Sequence, residues 1–357
     1  MARDFSTLPQ LWRKRCAEQG DRAAMRYKQR GIWSTVSWRQ FFEDARAIAM
    51  AMSAAGVGPG DVVAVLAENR PEWLVVELAA QALGGIVHGI EPHATAAEAG
   101  LALQRSAARI VFVDTVEQLA KVRSSDAADL QLRQVVAFES HGLHAAEHDR
   151  IVRYDDWLAS GTRLAREHPR LFDERIDQGR DDAIALFAPG AGTAVPVTQG
   201  ELLVRLWSAL EWMKLDSGDH VLSFEPLMQV GERVAVLAAM LALGVLVHFP
   251  ESSSTVFNDL AEAAPHMVRA PARFWARLHD RVEQAMNDAP PRARRSYARA
   301  LAATRRGWWR RALLRRVSRS LGLQRMRMAI VVPGDVESHV AAWYRALDIP
   351  LLSRPAA

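Results

Sequence analysis

A seven-residue pattern occurs twice in this chain, and it constrains the fold more than any other feature. Ala-Leu-Gly-x-x-Val-His stands at Ala82–His88 and again at Ala242–His248. Each copy joins the end of a helical pattern to a short β-branched run. Before the first copy, Gly58-Pro59-Gly60-Asp61 reads as a turn and Val62–Leu66 as a strand. Pro71 marks a helix start, where its missing N–H is not needed. That helix runs to about Leu83, Gly84 ends it, and Ile86–Ile90 is a strand closed by Pro92. Before the second copy, Ser217-Gly218-Asp219 is a turn and Val221–Phe224 a strand. A helix over about Glu232–Leu243 follows, capped by Gly244, and Val245–Phe249 is a strand closed by Pro250. Strands alternating with helices imply an α/β fold with mainly parallel sheets. The repetition predicts two similarly wound sheets, one per half, layered with helices. Chance likeness between two βαβ units is the alternative.

The histidines that close the copies, His88 and His248, have no second ligand at metal spacing in the sequence. They read as residues at the ends of buried strands, hydrogen-bonded to backbone, rather than as ligands or bases.

Length and composition agree with two domains: 357 residues, half of them apolar, exceed what one small core needs. Cys16 is the single cysteine, so no internal disulfide can form, which fits a reducing compartment and a cytoplasmic location. The first residues carry no continuous apolar segment of the kind that directs secretion. The longest uncharged apolar run, Val234–Val247, is shorter than the roughly 20 residues of a membrane span.

One block of sequence is specific enough to suggest relatives. Glu68-Asn69-Arg70-Pro71-Glu72-Trp73, with the Gly60-Asp61 turn before it and Ala79-Ala80-Gln81-Ala82-Leu83-Gly84 after it, resembles the long-chain acyl-CoA synthetases, members of the adenylate-forming (AMP-binding) ligases. Leu8–Trp12, Asp21–Ala24, Gly31–Trp33, Arg109–Val113, Leu222–Leu227, Gly231-Glu232-Arg233 and Arg345–Leu352 continue the resemblance in order. It implies the two-sheet N-terminal domain of those ligases without their C-terminal lid. One subdomain would span 56–210, and the other 1–55 together with 211–357. It also implies chemistry in which a carboxylic acid attacks the α-phosphate of ATP, and coenzyme A then displaces AMP. The first step depends on positioning and on offsetting phosphate charge.

The residues that should do this are altered. The family's Ser/Thr/Gly-rich phosphate loop, with its lysine, corresponds to Ala188–Gln199. There Gly190, Gly192 and Thr193 remain with Thr198, while the lysine is missing and Pro189 has removed an N–H donor. A histidine common in the family's Pro-Leu-x-His segment is replaced by Gln229. The Pro-Arg-x-Trp element appears as Pro271-Ala272-Arg273-Phe274-Trp275, one residue longer. The Gly-Gly-Ala turn against adenine reads Val332-Pro333-Gly334. Gln229, Trp275, Pro333 and Gly334 are therefore candidates to line a cleft. The sequence closes at Ser353–Ala357, ahead of the family's Tyr-Gly-x-Thr-Glu motif, ribose-binding aspartate, hinge and catalytic lysine. ATP, AMP and magnesium are expected only if residual family binding persists, and no catalytic or metal-ligating residue is assigned.

The charge distribution poses a separate question. Between Ala289 and Gly334 lie 13 arginines with no lysine and no acid. Removing them from the 45 basic residues leaves 32 against 41 acidic ones, although the whole chain carries +4. Arg305, Arg306, Trp308, Trp309, Arg310, Arg311, Arg315 and Arg316 are interleaved, and Trp309, Leu313 and Val317 follow i, i+4 spacing on a basic helix. One reading is a helix lying on an anionic membrane surface, with tryptophans at headgroup depth. Another is a helical hairpin that packs its stripe on the core and solvates its arginines. No base-reading motif supports a nucleic-acid partner.

Three functional readings follow. The chain is a catalytically inactive binding or regulatory relative with an acyl or nucleotide ligand, one piece of a split long-chain fatty acid–CoA ligase, or an interaction protein covered by a protein partner or a membrane surface. Shared fold alone does not establish a shared reaction.

Overall fold

The computed structural model describes residues 5–124, 131–139, 150–188, 194–303 and 307–353. The strands, in chain order, are β1 Ala23–Gln29, β2 Ile32–Ser37, β3 Val62–Leu66, β4 Ile86–Ile90, β5 Ile110–Val113, β6 Gln134–Ala137, β7 Ile151–Arg153, β8 Ile184–Ala188, β9 Val195–Thr198, β10 His220–Leu222, β11 Leu246–Phe249, β12 Met267–Ala270, β13 Met328–Val331 and β14 Leu351–Ser353. They form two seven-stranded sheets, in the orders β7-β6-β5-β3-β4-β8-β9 and β14-β13-β12-β10-β11-β1-β2.

The two orders are the same winding. In each sheet a first strand, β3 or β10, pairs in parallel with the strand that follows it and, on its other side, with the next one along. Two further parallel strands extend that side. A pair of flanking strands, β8 and β9 or β1 and β2, completes the other side. The repeated heptapeptide occupies equivalent places. His88 sits opposite Ala64 in the β3–β4 ladder, and His248 opposite Leu222 in the β10–β11 ladder. The recurrence in the sequence thus marks a repeated βαβ unit.

The strand composition explains the layering. Every residue of β3, β5, β12 and β13 is buried, so both sheet faces need cover. The helix Pro71–Ala82 begins at the expected proline, and Gly84 follows it at φ +74°. The helix Val230–Leu237 continues as a π-helical stretch over Ala238–Leu243, which the sequence reading had as regular helix. Gly244 closes it in the left-handed region at φ +74°. Nearly all of this apolar segment is buried, and no helix of the described residues is long and apolar enough to cross a membrane.

By contact density the chain divides into two compact units: 1–25, 35–211 and 226–244 form the first, and 26–34, 212–225 and 245–357 the second. Sheets and units partition the chain differently. Strands β1 and β2, from the segment 1–55, lie in the sheet of β10–β14, whereas the helix Trp38–Ala54 belongs to the first unit.

In the first unit the helix Trp38–Ala54 packs on the helix Tyr154–Glu167 at Gly161. A Cβ there would stand 1.9 Å from the Ala47 carbonyl oxygen, so only glycine allows the approach. In the second unit, Trp275, Phe274, Tyr344 and Trp343 form an aromatic centre, and Leu278 shares its core cluster with residues of β12 and β13.

The reading of the two histidines needs correction. The His248 ring bonds no backbone group among the described residues; its Nε2 lies 3.2 Å from Nδ1 of His220, and its Nδ1 has no described partner. His88 Nδ1 is likewise unpartnered. His266 completes a ring cluster, its Nδ1 accepting from the His220 backbone N–H at 2.9 Å. Sequence spacing could not show this cluster, because it forms across adjacent strands. Burial lowers His248 to about 3, helped by His220, Arg26 and Arg325. His220 is lowered to about 4, again mainly by burial, with Arg325, His266 and Arg26 adding to it and Asp219 opposing.

Two outcomes are expected. Gly161→Ala lowers the unfolding free energy by about 1–3 kcal/mol, the usual cost of forcing atoms into a packed contact, as read by urea denaturation. The histidine pair makes stability depend on pH. Its folded-state values lie below the ordinary value of about 6.5, so the unfolded chain binds more protons in between. Stability is then full above that value and falls as pH drops toward 4 and 3. Urea midpoints at neutral pH and at about pH 5 should differ less in a His220→Gln/His248→Gln variant than in the parent chain.

Candidate functional site

The segment after β10 holds the first station. Ser223, Phe224 and Glu225 lead into Pro226-Leu227-Met228-Gln229, and Gln229 is the N-cap of the helix Val230–Leu237. Two side chains of the first unit fix the backbone of this turn. The Leu227 N–H donates to Asn69 Oδ1 at 2.8 Å, and Arg233 Nε donates to the Leu227 carbonyl at 2.8 Å. Gly89 of β4 allows the turn to approach, since a Cβ there would lie 2.8 Å from Met228 Cα. Asn69 and Arg233, singled out at separate places in the sequence, thus converge on one turn.

Arg233 is fully buried and faces Glu77, also fully buried, with Nη1 3.6 Å from Oε1. The Glu77 carboxyl also accepts from Gln81 Nε2 at 3.0 Å. The guanidinium lies 4.5 Å from the centre of the Trp73 ring, a cation–π contact. Burial pushes Glu77 up and Arg233 down, and their mutual attraction offsets this in part. Arg233 Nη1 and Glu77 Oε2 have no described hydrogen-bond partner, so the pair is tightly enclosed but incompletely satisfied. The same guanidinium adds to burial in lowering His88, to about 4. The His88 ring itself meets Phe187 edge-on.

Thr198 ends β9 and is already engaged. Its Oγ1 accepts from the Glu201 N–H at 3.2 Å, and its own N–H donates to Glu201 Oε2 at 3.0 Å. This reciprocal cap starts the helix Gln199–Trp212. Gly190, Gly192 and Thr193 lie outside the described residues. The segment that contains them joins β8 to the antiparallel β9.

The other stations belong to the second unit. Pro333 and Gly334 follow β13 and are exposed, with Gly334 at φ +89°. The Ala272 N–H donates to the Pro333 carbonyl at 3.4 Å, which places the start of the helix Ala272–Asn287 beside this turn. Trp275 does not line a cleft. It is fully buried, its Nε1 donates to the Ile330 carbonyl at 3.3 Å, and its ring meets Tyr344 edge-on. The expectation for Trp275 is corrected for a physical reason: at its place in the helix the indole points at β13, and an indole of that size stabilises most when enclosed and hydrogen-bonded.

Thr198 and Gln229 share no hydrogen bond. Among the described residues no three His, Cys, Asp or Glu side chains converge to hold a metal ion. Among the described station residues, Thr198 and Gln229 offer neutral hydrogen-bonding side chains.

With the geometry in view, the relatives can be placed. The family model for AMP-binding enzymes matches residues 12–348, and the chain belongs to that family. Among curated proteins it is 25% identical over 313 residues to the long-chain-fatty-acid–CoA ligase heimdall of Drosophila melanogaster, covering 83% of this chain and 46% of that protein. It is 20% identical over 289 residues to the human long-chain-fatty-acid–CoA ligase ACSBG2, covering 78% and 42%. The chain thus spans less than half the length of these relatives. Among solved structures, the A domain of a carboxylic acid reductase from Segniliparus rugosus, in complex with AMP and a co-purified carboxylic acid, superposes with a TM-score of 0.71 at 18% identity. That match covers 98% of this chain and 60% of the other. The N-terminal domain of FACL13 from Mycobacterium tuberculosis gives 0.69 at 15% identity, covering 98% and 76%. These likenesses show the acyl-CoA-synthetase-like fold.

The buried pair supplies a test of how the turn is held. Arg233→Met alone leaves Glu77 enclosed without its partner, and should lower the unfolding free energy by about 3–5 kcal/mol. Adding Glu77→Gln should recover part of that loss, as read from a double-mutant cycle in urea. A strictly additive cycle would mean that the two groups do not interact.

Proposed function

We propose that this chain is a non-adenylating member of its family, a binding or regulatory relative that takes an acyl or nucleotide ligand without activating a carboxylate. The observation that carries this reading is the Pro226–Gln229 turn. Its backbone is held by Asn69 and by the buried Arg233, so the scaffold of the station is kept. The side chain it presents is the uncharged Gln229, where the family resemblance expects histidine.

The remaining stations agree with it. No lysine stands between Ala188 and Gln199 to offset phosphate charge, and Thr198 is committed to a helix cap. Val332 and Pro333 stand where small residues would admit a flat base, and Trp275 is committed to the core. Phosphoryl chemistry relies on positively charged or donor groups placed where charge develops. Arg233, whose guanidinium holds the backbone of the turn, faces Glu77 instead.

The test is fatty-acid-dependent exchange of labelled pyrophosphate into ATP, run with short to long acids. No exchange above a no-protein blank is expected. Exchange that is lost on boiling would overturn the reading, because it would mean that adenylation proceeds without the lysine. Binding of ATP, AMP or a fatty acid without exchange, followed by calorimetry, is the positive outcome.

A further inference from the structure

The arginine-rich stretch is not used by the reading above, and the structure sorts its members. Three of the thirteen arginines are structural. Arg310 is buried, and donates through Nε to the Ala300 carbonyl at 2.9 Å and through Nη2 to the Ala346 carbonyl at 3.1 Å. This corrects its assignment to a membrane face: it ties the helix Trp308–Ser320 to its neighbours. Arg325 donates to the carbonyls of Ala264 and Ala263, and Arg327 pairs with Asp216 and Asp219. Arg305 and Arg306 lie outside the described residues.

The other eight, Arg292, Arg294, Arg295 and Arg299 on the helix Pro291–Ala302 and Arg311, Arg315, Arg316 and Arg319 on the helix Trp308–Ser320, are all exposed. None of them forms an ion pair with a described residue. The two helices pack against each other and carry no acidic residue.

The orientation of the second helix decides what this face can do. Arg310, Leu314 and Ser318 form its buried stripe, and Leu313 and Val317 pack partly buried beside it. Of the stripe read from the sequence, Leu313 and Val317 therefore turn inward, while Trp309 stays exposed. At about 100° per residue, Trp308 falls roughly 120° round from Leu314, with Arg311 and Arg315 on one side and Arg319 and Arg316 on the other. Trp308 is 83% exposed and Trp309 42%. An indole held in water at the centre of an unpaired arginine face gives up apolar burial, and arginines in a row repel one another. Both costs are removed by a surface that is negatively charged at one depth and apolar just below.

We propose that this face is a docking surface for anionic phospholipid bilayers, with the helix Trp308–Ser320 lying in the membrane plane. The guanidinium groups meet headgroup phosphates, and Trp308 and Trp309 enter the headgroup–acyl boundary. Because Leu313 and Val317 face the core, insertion is limited to the two indoles and attachment is reversible and governed by charge. A single-headgroup pocket fits less well. The hollow beside Arg311 and Arg315 is about 190 Å³ but is also lined by Asp348, which opposes a lone phosphate.

Sedimentation of the purified chain with vesicles tests this. Binding is expected to phosphatidylcholine vesicles that contain phosphatidylglycerol and not to phosphatidylcholine alone, and it should weaken as salt rises. Replacing Arg311, Arg315, Arg316 and Arg319 by Gln should reduce partitioning about tenfold or more. Trp308→Ala should reduce it by a smaller factor, and brominated lipid should quench less fluorescence in that variant. All five positions are exposed, so the variants should keep the parent's urea midpoint. Equal binding by the arginine variant, or no binding to anionic vesicles at all, overturns the proposal. So does displacement from vesicles by an equal charge of single-stranded RNA, which would assign the face to nucleic acid.

Discussion

Strands such as β3, β5, β12 and β13 are buried along their whole length, and the structure depends on that constraint. A parallel strand of this kind satisfies its backbone only through neighbouring strands, and its side chains only through helices on both faces. Each strand must then be followed by a covering helix, and each covering helix must return to the sheet. Variable chemistry is left to the turns beyond the carboxyl ends of the strands. The Pro226–Gln229 turn follows β10, and Pro333 and Gly334 follow β13. The stretch with Gly190, Gly192 and Thr193 follows β8.

Within that frame the buried Arg233 does more than its charge suggests. It links the helix Val230–Leu237, Glu77 on another helix, the face of Trp73 and the carbonyl of Leu227. A buried pair of this kind contributes little net stability against an apolar substitute, yet is costly to break. Its value here is positional, since it fixes the turn while leaving the side chain at Gln229 free to change. Scaffold and chemistry are thus separable, and a shared fold does not by itself establish a shared reaction.

The same separation applies to the arginine-rich helices. Their inward stripe satisfies the core of the second unit, and their outward face answers to nothing else in the described chain. A helix with one face fixed by packing presents the opposite face whether or not it is used. What makes this one notable is that charge and tryptophan are concentrated on helices that carry no acidic residue of their own.

Much was legible in advance where local rules decide. Helix starts at Pro71, stops at Gly84 and Gly244, and the β-branched runs of β3 and β4 follow from backbone preference and short-range pattern. The repeated Ala-Leu-Gly-x-x-Val-His showed that two units wind alike, because a βαβ unit has the same local needs wherever it occurs. Side-chain roles set by long-range contact were not legible. Trp275 and Arg310 stood out as an aromatic and a cation, but only tertiary packing showed both to be enclosed and bonded to carbonyls. The partnership of His220 with His248, and that of Arg233 with Glu77, likewise joins residues on different elements. The sequence by itself determined the strands and helix limits of the repeated units, since those depend on neighbours along the chain. Only the tertiary structure decided which polar groups are buried, which arginines remain in water and which turn is held in place, since those depend on neighbours in space.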